Sequence, residues 1–90
     1  MANITKMHRL LEEMIKSTES RDTKTVLDLN ARFEESYSIA RHELPKQLEL
    51  EYDNCRLSCV LSVTMSKDYY EMFVSDAKER FSRIPKPYNQ

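Results

Sequence analysis

The chain has 90 residues, with 14 basic and 15 acidic side chains and no glycine. One domain of this size folds alone only marginally, and oligomerisation is the common remedy. Its charges are near balance and interleaved, so the basic footprint of a nucleic-acid binder is missing, and no apolar run is long enough for a transmembrane helix.

In chain order, Ile4, Met7, Leu10, Leu11, Met14 and Ile15 recur at three- and four-residue spacing. They predict an amphipathic helix, with Asn3 as its cap. The run from Ser17 to Arg21 reads as a polar connector. Asp22 then caps a second helix, whose stripe is Val26, Leu29, Phe33, Tyr37, Ala40 and Leu44. Pro45 ends it, having no N–H to donate and disfavouring helical geometry in the residue before it. The short link predicts an antiparallel helical hairpin.

From Gln47 to Asp53, and again from Cys55 to Ser66, polar and apolar residues alternate, with Val60 the one break in the pattern. Period two is the strand signature. The phase changes at Asp53-Asn54, two residues that tolerate the left-handed backbone of a tight turn. The pattern predicts a β-hairpin in which Glu51 faces Arg56 across the strands. A helix competes, because Leu48, Tyr52, Cys55, Cys59 and Val63 also share one helical face. Such a helix would carry Leu50, Leu57, Leu61 and Met65 on its opposite side and demand burial on both.

Ser66 caps a last helix with a core stripe of Tyr70, Phe73, Val74, Ala77, Phe81 and Ile84. Asp76 and Arg80, four apart, support its surface. The expected fold is therefore α+β and mostly helical, in the order α-α-β-β-α, with a helical hairpin and a two-stranded β-hairpin covered by helices. The alternative is an all-α three-helix bundle with a long helix from Pro45. The domain should span residues 1–84, with 85–90 as a flexible tail that a groove for proline-rich segments would fit. In the hairpin reading Leu61, Val63 and Met65 lack a partner strand, and pairing with a second copy would protect that edge. They are the expected dimer interface.

The residues that carry chemistry form no familiar constellation. Lack of glycine removes the P-loop, the dinucleotide fingerprint and the elbow of a catalytic serine. It also leaves left-handed positions to Asn and Asp. His8 and His42 match no metal-ligand spacing and read as surface residues. Cys55 and Cys59 lack the second ligand pair of a zinc site and sit about 13 Å apart if on a strand, too far for a disulfide. They read as small core residues. Glu12, Glu13, Glu34, Glu35, Glu49 and Glu51 all fall on expected wet faces. No cofactor and no metal is expected.

Tyr69 and Met72 lie off the last helix's core stripe, and exposed Tyr and Met are enriched at protein interfaces. Arg80 and Arg83 add a mild basic bias beside them. These four residues are the expected partner surface. The charged opening MANITKMHRLLEEMIK is unlike a signal peptide, so the thiols should be reduced and the location cytoplasmic. The composite expectation is a non-enzymatic interaction module (an inhibitor, adaptor or regulator) that binds another protein as a homodimer. A nucleic-acid-binding regulator is the rival from another class. Near-neutral charge weighs against it, because phosphate neutralisation dominates such affinity.

Overall fold

The computed structural model describes residues 2–87, and among them every regular element is helical. The order is α1 (Ala2–Glu19), α2 (Thr23–Ala40), a 3-10 turn at Arg41–Glu43, α3 (Lys46–Thr64), a 3-10 turn at Lys67–Tyr69 and α4 (Tyr70–Ser82). Helix α1 packs chiefly on α2, and α3 on α4, so two helical hairpins lie against each other. The radius of gyration is 12.3 Å, close to the roughly 12 Å of a compact domain of this length.

Two of the expected helix starts are made by the residues that predict them, whereas Asn3, the expected cap of the first helix, lies inside α1, which already includes Ala2. Asp22 accepts from the Thr25 amide at 3.2 Å, and the Thr25 hydroxyl donates to its other oxygen at 2.7 Å. Ser66 accepts from the Asp68 amide at the turn leading into α4. The core takes Ile4, Met7, Leu10, Leu11 and Met14 from α1 and Val26, Leu29 and Phe33 from α2. It is completed by Tyr52, Cys55, Cys59, Ala77 and Ile84.

The β-hairpin does not exist. Residues of both expected strands, and Asp53-Asn54 between them, lie in α3, which starts directly after Pro45; the Pro45 carbonyl accepts from the Leu48 and Glu49 amides at 3.0 Å. The all-α alternative with a long helix from Pro45 fits, with four helices in place of three. Helix won because its far face does not need burial. Leu50 is 48% exposed and Leu57 43%. The inward face meets the core with Tyr52, Cys55 and Cys59 and with the small polar residues Ser58 and Ser62. Glu51 and Arg56 do not pair across strands: Arg56 binds Asp53 one turn back, and Glu51 binds Arg80 of α4. With no strand, the unpaired edge at Leu61, Val63 and Met65 disappears as well.

Two further readings change. His8 is fully buried, not a surface residue. Left-handed backbone falls to Arg21, φ 57°, where Asn or Asp was expected. Arg21 follows α1 and closes it: its amide donates to Thr18 at 3.0 Å, and the Asp22 amide donates to Ser17 at 3.0 Å. This paired closure normally uses glycine. Beyond α4, Ile84 is buried, whereas Pro85 and Lys86 are exposed. The remainder of the expected tail, 88–90, lies outside the described residues.

Candidate functional site

Helix α4 is held firmly at its start. The Tyr70 hydroxyl donates to the Thr18 carbonyl at 2.7 Å, and Arg21 stacks over the Tyr70 ring. Lys78 reaches Glu19 at 2.9 Å. These contacts fix α4 against the end of α1. Outside this anchor, Tyr69 is 45% exposed and Met72 55% exposed. The Tyr69 ring stands 6.5 Å from that of Phe73, which is half-buried. Tyr69, at the end of the 3-10 turn, and Met72, on α4, therefore stand open where the packing of α4 does not consume them.

Arg80 and Arg83 separate. Arg80 Nε donates to Asp76 at 2.9 Å, and one terminal nitrogen donates to Glu51 at 3.1 Å. The Ser58 hydroxyl also donates to Asp76. Arg80 thus belongs to a polar seam between α3 and α4. Burial opposes ionisation of Asp76, but Ser58 and Arg80 outweigh it and hold the carboxyl below its ordinary range. Arg83 is exposed and borders a shallow depression with Pro45, Gln47, Leu48 and Glu51. Of the expected dimer residues, Val63 and Met65 line a cleft with Arg21, Thr23, Ser62, Lys67 and Tyr70. Leu61 is half-buried on α3 and does not line that cleft.

His8, Cys55 and Cys59 are sequestered, whereas His42 is exposed. Tyr52 Oη and His8 Nδ1 share a hydrogen bond of 2.8 Å, and the Phe81 ring lies 5.0 Å from the imidazole. Desolvation lowers the His8 pKa against the pull of Glu12. Cys55 and Cys59 are both buried and free, as expected of core thiols. The Cys55 thiol donates to the Ala77 carbonyl at 3.3 Å. Its hydrogen bond with Cys59, and then burial, push its pKa up. Among the described residues no group of three or more His, Cys, Asp and Glu could hold a metal ion.

Glu49 was expected on a wet face and is buried. Arg41 pairs with it at 2.8 Å, and the Tyr37 hydroxyl donates to its carboxylate and its carbonyl at 3.4 Å. It fastens α2 to the start of α3.

No protein-family model matches the chain, and the searches of curated proteins and of solved structures return no match. Among the described residues no helix is long and apolar enough to cross a membrane.

Proposed function

We propose that this chain is a small, non-enzymatic protein-interaction module, an inhibitor, adaptor or regulator that acts by binding another protein in the cytoplasm. The observation that carries this reading is the open pair formed by Tyr69, which ends the 3-10 turn before the anchored α4, and Met72, in the first turn of that helix. A helix fixed at its start presents such side chains with no backbone left to order on binding, and aromatic and methionine side chains contribute large contact areas. Arg83, the residue that caps the end of α4, adds an unburied cation, which suits a partner with an acidic side chain next to an apolar one. Arg80 leaves the proposed surface, because Asp76 and Glu51 occupy it. Burial of His8, Cys55 and Cys59 supports a binding rather than a catalytic role.

The test is a double substitution, Tyr69→Ala with Met72→Ala. A protein captured by the wild-type chain from its native extract should be lost, by about tenfold or more for two interface anchors. Circular dichroism and thermal midpoint should stay unchanged. Undiminished capture by the double variant would remove this surface from the reading.

A further inference from the structure

The cleft that takes Val63 and Met65 opens where the α1–α2 link, the end of α3 and the turn into α4 come together. Its volume is about 170 Å³. Arg21 and Lys67 stand in its wall, both exposed, and among the described residues neither enters an ion pair. Among the described residues no carboxylate stands in that wall. Other depressions differ in this respect. Arg83 shares its depression with Glu51. Lys6, Arg9 and Arg32 share theirs with Glu13, and Lys78 shares its own with Glu19 and Glu71. Asp22, which separates Arg21 from Thr23 in sequence, turns both carboxylate oxygens to Thr25.

Arg21 is oriented before any ligand arrives. Its guanidinium stacks over the Tyr70 ring, and the Tyr70 hydroxyl is itself bonded to the Thr18 carbonyl. Stacking uses the flat face of a guanidinium and leaves its N–H edge for an anion. Its φ of 57° is a conformation that glycine takes without steric cost. Arginine at this position adds a cation that glycine lacks.

We propose that this cleft binds a phosphate group, carried by a phosphorylated side chain of the partner protein. The proposal rests on the reading of the chain as a protein-binding module and names the chemistry it recognises. Charge selects phosphate: the ester carries about −1.5 to −2 at neutral pH, which matches two cations, whereas a carboxylate matches one. The Thr23 hydroxyl adds a further donor beside Arg21 and Lys67, and a phosphate has three strong acceptor oxygens to receive them. Size selects a side chain: small-molecule pockets typically occupy about 300–1,000 Å³, so this smaller cleft fits one group presented by a larger body. Val63 and Met65 offer apolar contact to the carbon stem of that group. Lys67 and Tyr69 are the two ends of one 3-10 turn, so a partner covering Tyr69 and Met72 has the cleft beside it.

A blocked phosphoserine (N-acetyl, C-terminal amide), titrated into the isotopically labelled full chain at constant ionic strength, tests the cleft without the partner. The amide signals of Arg21, Thr23 and Lys67 should shift together and saturate. Arg21→Gly and Lys67→Gln should each weaken this binding by about tenfold. Absence of a saturating shift, or one unchanged in both variants, overturns the proposal. Blocked aspartate binding as tightly overturns the choice of phosphate. Capture from native extract tests the source. Treating the extract with a protein phosphatase should reduce capture by the wild type about tenfold, and Arg21→Gly should lose capture from untreated extract. Capture that survives the phosphatase overturns the phosphorylated partner; inorganic phosphate binding as tightly as phosphoserine would then identify the free anion as the ligand. The double variant Tyr69→Ala, Met72→Ala should lose capture and keep the phosphoserine titration, so the cleft and the open pair fail separately.

Discussion

The guanidinium of Arg21 lies over the ring of Tyr70, 3.9 Å from its centroid. The same residue carries a left-handed backbone, which costs a non-glycine residue about 1–2 kcal/mol. The stacking, worth about 0.5–1 kcal/mol at an exposed site, offsets part of that cost. Two substitutions separate these effects. Arg21→Ala keeps the backbone cost and loses the stacking. Arg21→Gly loses both. Urea unfolding should find the alanine variant less stable than the glycine variant by about 1 kcal/mol, with glycine near wild type. Equal stability of the two would refute the account.

Arg80, on α4, and Arg83, which caps its end, should behave differently although both are arginines. Arg80→Ala removes contacts to Asp76 and Glu51 in a partly screened seam and should cost about 1 kcal/mol. Arg83→Ala should stay within about 0.5 kcal/mol of wild type and instead weaken partner capture. Thermal melts of the two variants decide, and a reversed order would reverse the assignment.

Acid should weaken the fold first through His8. The unfolded chain takes up a proton near the ordinary histidine value of 6.5, and the folded chain resists it. The unfolded form then binds more protons, so stability falls as pH falls. The contribution of neutral His8 is complete above 6.5 and declines below it. Asp76 acts in a lower window, since its depressed pKa adds stability that is lost only as pH drops below the ordinary 3.8. Urea midpoints should therefore decline from pH 7 to pH 5 in the wild type and flatten in His8→Gln. Parallel slopes for the two proteins would exclude His8 as the cause.

Thiol chemistry should report unfolding. The attacking species is the thiolate, and Cys55 is held protonated inside the core. Ellman's reagent should react with Cys55 and Cys59 only as fast as the chain opens, and added urea should accelerate both. Reaction within seconds under native conditions would contradict their burial.

Much of the fold was legible because three helices carry one apolar stripe each, and Asp22, Pro45 and Ser66 mark boundaries by known backbone chemistry. Helix α3 misled because its alternation satisfies two periods at once. The deciding assumption was that Leu50 and Leu57 must be buried, and that is a statement about tertiary context which local pattern does not contain. His8 was readable in principle: it stands four residues after Ile4 and three before Leu11, on the stripe itself. Residue type suggested the surface, and position was the better guide. The exposure of Tyr69 and Met72 was legible by the same positional logic. Arg80 was not, because Glu51 lies 29 residues away in sequence.

The two-hairpin layout has a consequence for kinetics. Each hairpin closes over a short link, and low sequence separation makes such closures fast. The hydrogen bond from Tyr70 to Thr18 spans 52 residues, so it joins the hairpins after each has formed. A contact absent from the folding transition state leaves the folding rate alone and governs the rate of opening. Tyr70→Phe should steepen unfolding in stopped-flow measurements with little change in refolding, making this one hydroxyl the latch that sets the lifetime of the native state.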